Sequence, residues 1–291
     1  MDFTLKLQAQ KTKQMKKILL SLLAIGAFCY ADAQGLKLPA LSPGAKISQD
    51  FSTSSIEISY SRPSMRGRVI FGDLVPYDKV WRTGANSATK IKIGEDMEIG
   101  GQQIKAGEYA LYTIPGKTEW EIILNKGTGN WGAYGYSNSD DVARFKVKSK
   151  MLDKNVQTFT MSITNITYNN CKLEMEWEKT KVVIPIVAHN EERISTSIDK
   201  AINNPDIPYF QAANYYYETN QNLDKAKTYV DKSVDATPKA YYMWLLKARI
   251  EKKLGHKEDA KMAANKAIEA AKGSAAEEEY KHQGEELIGS L

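Results

Sequence analysis

Two short stretches concentrate the side chains best suited to hold a ligand: Arg62-Pro63-Ser64-Met65-Arg66-Gly67-Arg68 and Val80-Trp81-Arg82-Thr83-Gly84-Ala85-Asn86. Guanidinium forks bind planar anions such as carboxylate, phosphate or sulfate through paired hydrogen bonds, and an indole and an amide beside turn-forming glycines add stacking and polar contacts. Arg62, Arg66, Arg68, Trp81, Arg82 and Asn86 are therefore candidate ligand-binding residues, placed at loop tips where such residues tend to sit. Arg62 and Arg82 have an equally open alternative: they could pair with Asp73, Asp78 or Glu108 and lock the loops.

Downstream, Gly127-Thr128-Gly129-Asn130-Trp131-Gly132 fits the G-x-G-x-x-G pattern and follows a strand-like run. A dinucleotide fingerprint must open a helix, whereas this one runs into Ala133-Tyr134-Gly135-Tyr136-Ser137-Asn138, a loop composition. Trp131, Tyr134 and Tyr136 read instead as an aromatic platform for a sugar ring or as rings packing the loop down, and Trp131 joins the candidate ligand-binding residues. Histidine is scarce. His189, His256 and His282 all fall outside the segment richest in arginine, so neither a Ser-His-Asp triad nor a histidine metal site is expected, and no metal or cofactor is assigned. Asp140-Asp141 are adjacent on a loop, where capping is a better reading than paired acid catalysis.

The elements that must position these residues follow from periodicity. Ile56/Ile58/Tyr60, Ile91/Ile93, Trp120/Ile122/Leu124, Phe159/Met161/Ile163, Leu173/Met175/Trp177 and Val182/Ile184/Ile186 alternate with polar neighbours. Period two with turn signals at Gly100-Gly101, Ala106-Gly107, Pro115-Gly116 and Asn169-Asn170 predicts antiparallel strands with one face on a core. Residues 45–189 are thus expected to form an all-β sandwich or jelly roll. Near Glu191 the period becomes helical, and residues 190–291 carry a 34-residue offset relating Tyr216 to Ile250, Ala226 to Ala260 and Ser233 to Ala267. That period is the one expected of a tetratricopeptide-like array: two hairpins and a last helix, able to hold a protein or peptide partner.

Charge and the N-terminal residues address the compartment. Lys16-Lys17, the apolar run from Ile18 to Phe28 and Ala31-Asp32-Ala33 have the layout of a secretory signal peptide, so residues 1–33 read as an extension plus signal and 34–44 as a linker. Without residues 1–33 the chain carries 35 basic against 33 acidic residues, too balanced for a nucleic-acid face. The expected location is periplasmic or extracellular, with no membrane span after cleavage. Cys171 alone would remain after cleavage, which leaves the fold to its core rather than to disulfides.

Val80-Trp81-Arg82-Thr83-Gly84-Ala85-Asn86, Ile104-Lys105-Ala106-Gly107-Glu108-Tyr109-Ala110-Leu111-Tyr112-Thr113-Ile114-Pro115, Tyr60-Ser61-Arg62-Pro63 and Trp120-Glu121-Ile122-Ile123-Leu124-Asn125 together resemble the family named domain of unknown function 2911, over roughly residues 41–188. The resemblance implies a secreted β-rich domain, often followed by helical repeats, and no reaction. The expectation is a non-enzymatic binding or interaction protein with an anionic or glycan ligand at the β domain. The alternatives are a secreted hydrolase-like enzyme acting on a glycan or ester, and a carbohydrate-binding module.

Overall fold

The computed structural model describes residues 38–202 and 208–291. The signal-peptide reading of residues 1–33 and the first part of the linker, residues 34–37, lie outside the described residues, as does the Asn203-Asn204-Pro205 stretch that the sequence offers as a helix stop. Residues 41–291 form one compact unit, a β domain followed by helices.

Nine antiparallel strands build the β domain: β1 Gly44–Phe51, β2 Ser54–Ser61, β3 Thr89–Ile93, β4 Met97–Ile99, β5 Gln102–Ile104, β6 Gly107–Pro115, β7 Glu119–Asn125, β8 Asp141–Thr164 and β9 Asn170–Val187. They are hydrogen-bonded in the order β1-β2-β3-β6-β7-β8-β9-β4-β5. The β4–β5 turn is Gly100-Gly101, both at positive φ (60° and 84°), as a two-residue hairpin requires. The long strand β8 is shared: residues 141–148 pair with β7, while residues from 149 onward pair with β9. Register shifts between Met151 and Val156 and again before Thr160 mark bulges, which bend a strand and let it pass from one layer to the next.

Between the layers lies one core. Ile56, Ile58, Ile91, Ile93, Leu111, Trp120, Ile122 and Leu124 meet Phe159, Met161, Leu173, Met175, Trp177, Val182, Ile184 and Ile186, all buried. Side chains of this size each stabilise the fold by roughly 1.5–3 kcal/mol when withdrawn from water. Cys171 belongs to this core, and burial pushes its thiol up to about 12.

One expectation needs correcting. The strands in the middle of the first layer are buried on both faces, not one: Ala110, Leu111 and Tyr112 in β6 and Ile122, Ile123 and Leu124 in β7 are all inaccessible. A second cluster of Ala88, Ala110, Tyr112 and Ile123 sits on the outer face, covered by Val80, Ala133 and Tyr136. The loop after β7 therefore acts as a lining for the sheet.

Six helices follow among the described residues: α1 Glu191–Ala201, α2 Tyr209–Glu218, α3 Leu223–Ala236, α4 Tyr241–Leu254, α5 Lys257–Ala271 and α6 Glu277–Gly289. The first residues of α3 and α5 are 34 positions apart, and each pair related by that offset, Tyr216/Ile250, Ala226/Ala260 and Ser233/Ala267, is buried at both members. Gly255 closes α4 at φ 82°, the left-handed stop that glycine supplies. No described helix is long and apolar enough to cross a membrane.

Candidate functional site

The Trp81–Asn86 segment is first of all a tight knot. Trp81 bridges to Thr113 through two backbone hydrogen bonds (2.7 and 2.9 Å), and its indole N–H donates to the Gly84 carbonyl at 3.1 Å. Its ring stacks on Trp177 (5.9 Å, 17°) and meets Phe71, Trp120 and Phe159 edge-on. Trp81 is thus the centre of the aromatic core, not a ligand-facing ring. Thr83 is fully buried; its hydroxyl faces that of Thr113 at 3.2 Å, and its carbonyl accepts from Thr89 Oγ1 at 2.6 Å. Gly84 stands at φ 152°, where an added Cβ would lie 2.9 Å from the Ser61 carbonyl, so only glycine fits.

The four arginines separate into two kinds. Arg62 donates to the Phe159 carbonyl (3.1 Å) and to Thr160 Oγ1 (2.8 Å), tying the end of β2 to β8. Arg66 donates to the Leu41 carbonyl (3.0 Å), and Arg68 to the carbonyls of Met65 (2.9 Å) and Ser64 (2.8 Å). None of these three reaches the acids considered as partners; Glu108, for one, faces Lys90. The Arg82 carbonyl accepts from Thr89 N (3.1 Å), but its guanidinium makes no hydrogen bond or ion pair with the described residues, and its Nε is buried with no acceptor.

Arg82 projects away from the core, under the loop that lines the outer face. A Cβ at Gly132 (φ 67°) would meet Arg82 Nη1 at 3.0 Å and the Tyr134 ring at 3.2 Å, so guanidinium, glycine and phenol share one corner. Asn86 closes the same corner: its carbonyl accepts from Gly132 N (3.0 Å), and its amide donates to Ser61 Oγ (3.1 Å) and the Ser42 carbonyl (3.3 Å). Ser87 pairs with Trp131 in an isolated bridge; Trp131 is 64% exposed and Tyr134 93% exposed. Beside it an open groove of 400 Å³ runs over Ser59, Ser61, Ser87, Lys46 and Lys90. Of the seven candidate residues, then, Arg82, Asn86 and Trp131 come together, whereas Trp81, Arg62, Arg66 and Arg68 serve packing and loop closure.

The loop that roofs this corner is held by polar residues that periodicity alone passes over. Asn130 donates from its amide to Tyr112 OH (3.1 Å) and to the Gly135 carbonyl (2.9 Å). Asn125, fully buried, donates to Asp141 Oδ1 (2.8 Å) and the Ser137 carbonyl and accepts from Gly127 N. Asp141 accepts further from Tyr136 OH (2.9 Å) and Arg144 (3.0 Å), and Arg144 also pairs with Glu121 at 2.7 Å. Asp141 is therefore the hub of a buried-edge network rather than a helix cap. Burial, then the hydrogen bond to Asp141, push the Tyr136 hydroxyl up to about 12. The signal available in the sequence is Asp141 and Arg144 three apart at the start of a strand, whereas Asp140-Asp141 alone suggest a cap on a loop. The G-x-G-x-x-G run opens no helix: it is this loop.

Away from the corner, Glu251, His256 and Asp259 present donor atoms within 4.8 Å of one another. The buried Glu251 carboxylate already holds His256 Nδ1 at 2.8 Å and the Lys227 ammonium at 2.6 Å, so a protein cation occupies the place a metal would need. Burial opposes the charge on Lys227, but hydrogen bonds to Glu251 and Asp231 outweigh it and hold its pKa above the ordinary lysine range. His189 lies at the other end of the β domain, 2.9 Å from Glu98.

No curated protein and no solved structure matches the chain. Residues 42–186, which include every β-domain residue of the Arg82 corner, match the family described as Protein of unknown function (DUF2911).

Proposed function

We propose that this is an exported, non-enzymatic binding protein whose β domain takes an anionic ligand at Arg82, with Asn86 and Trp131 beside it. The observation that carries the reading is the contrast among four arginines: three are satisfied by carbonyls or hydroxyls, while Arg82 keeps its donors without a protein acceptor and its Nε buried. A buried donor with no partner is costly, and a guanidinium fork matches carboxylate, sulfate and phosphate. Glu121 and Asp141, the carboxylates that hold the overlying loop, are committed to Arg144, which favours binding over acid–base chemistry.

A carbohydrate-bearing ligand is the second reading, favoured by the exposed rings of Trp131 and Tyr134. The two readings join in a sugar that carries a carboxylate or sulfate. We read the helical half as two tetratricopeptide-like hairpins and a closing helix; the paired burial of positions 34 apart supports this. Export rests on the layout of residues 16–33.

Retention on an array of neutral, carboxylated and sulfated glycans tests the proposal. The intact protein should retain anionic members, Arg82→Ala should lose them by about tenfold or more, as expected for one bidentate charged contact, and Arg68→Ala should not. Trp131→Ala should weaken glycans and leave inorganic sulfate unaffected. Equal retention by Arg82→Ala and the intact protein would refute the anion site.

A further inference from the structure

A second surface, independent of the Arg82 corner, lies in the helices. A groove of 690 Å³ is bounded by Tyr217 on α2, by Arg249, Lys252 and Lys253 on α4, by Gln283 and Glu286 on α6, and by Ser290 just past the end of α6. Its three cations share one face of α4, and each has a neutral partner. Arg249 donates to Gln283 Oε1 (2.7 Å), Lys252 to Ser290 Oγ (2.6 Å), and Lys253 to the Tyr217 carbonyl (3.0 Å) while standing 4.2 Å over the Tyr217 ring. Elsewhere, on α3 and α4, Lys227 and Lys247 are neutralised by Asp231 and Glu251. Only Glu286 among the residues lining the groove carries a negative charge, so the groove keeps a net positive charge.

We propose that this groove docks an extended acidic peptide whose carboxylates alternate, acidic-x-acidic. Arg249 and Lys253 are one turn apart, about 6 Å along the axis. In an extended chain, side chains two residues apart lie about 6.6–6.8 Å apart on the same face. Alternate carboxylates of a strand-like segment therefore match the two cations, whereas adjacent carboxylates point to opposite sides. Lys252 remains to meet a peptide backbone carbonyl as donor, while the Gln283 amide is held by Arg249 and Glu279. A short cluster on one helix suits a peptide better than a nucleic acid, whose affinity comes from a long row of phosphates.

Fluorescence anisotropy with the full chain tests this, using labelled peptides of one composition in which two glutamates are alternate, adjacent or replaced by glutamine. The alternate peptide should bind, and the adjacent one about tenfold more weakly, the cost of one charge-assisted hydrogen bond. Arg249→Gln and Lys253→Gln should each lose a similar factor, and Lys257→Gln, on the exposed start of α5, none. Lys253 reaches only Tyr217 from an exposed position, so its variant reads the groove even where Arg249→Gln perturbs α6. Equal binding of both spacings, undiminished binding by Lys253→Gln, no binding of any peptide, or equal competition by a single-stranded oligonucleotide of the same charge would overturn the proposal.

Discussion

At Gly84 and Arg82, two neighbours in one motif, opposite demands meet. Gly84→Ala forces a side chain into the Ser61 carbonyl at a φ that only glycine tolerates well, and should cost about 1–3 kcal/mol, read as a lower melting temperature. Arg82→Ala removes no protein hydrogen bond and should melt close to the unaltered chain while losing its ligand. Reversal of that order would mean that Arg82 is architectural. Tyr136 gives a pH signature of defined sign. Its folded pKa, about 12, lies above the ordinary value of 10, so the protonated phenol is favoured by folding. That contribution is fully present below pH 10 and is lost as pH rises through about 12. Thermal melts across that alkaline window should fall less steeply for Tyr136→Phe. The residue types of the site were legible in the sequence, but their division of labour was not. Trp81 and Arg82 look alike as loop-tip ligand residues until alternation is carried through the knot, which turns the indole into the core and the guanidinium out.

Strands announced themselves through period two, and the Gly100-Gly101 hairpin through its composition. What periodicity could not show was that β6 and β7 are covered twice, because the cover is an irregular loop whose hold comes from amide and carboxylate side chains. The consecutive apolar residues Ile122-Ile123-Leu124 and Ala110-Leu111-Tyr112 were the available hint, since a half-exposed strand alternates and a doubly covered one does not. If the loop is held as described, Asn130→Ala severs its bonds to Tyr112 and Gly135. Hydrogen exchange should then rise over residues 126–137 and in β6 near Tyr112, while β9 stays protected. Unchanged exchange there would show that Asn125 and Asp141 suffice.

The β and helical halves meet through polar contacts around the start of α1. Arg193 pairs with Glu95 and donates to Thr53, Asn190 donates to Ser52, Asn169 donates to Glu191, and Tyr168 accepts from Asn214 while lying edge-on to Tyr215. Contacts of this kind are exposed or half-exposed and individually weak, so coupling depends on several acting together. Arg193→Ala with Asn190→Ala should split a single calorimetric transition into two, or broaden it; a single sharp transition would show that packing around Tyr168 carries the coupling. The helical half was legible through its 34-residue offset, whereas these contacts join residues at scattered separations, from 22 to 140 positions, and leave no periodic trace. The β domain itself has little freedom to answer a ligand. One strand, β8, is threaded through both layers like a common seam, so neither layer can slide over the other without tearing its ladder. A molecule captured at the outer corner would find a rigid anvil beneath it, and whatever response it evokes must come from the overlying loop.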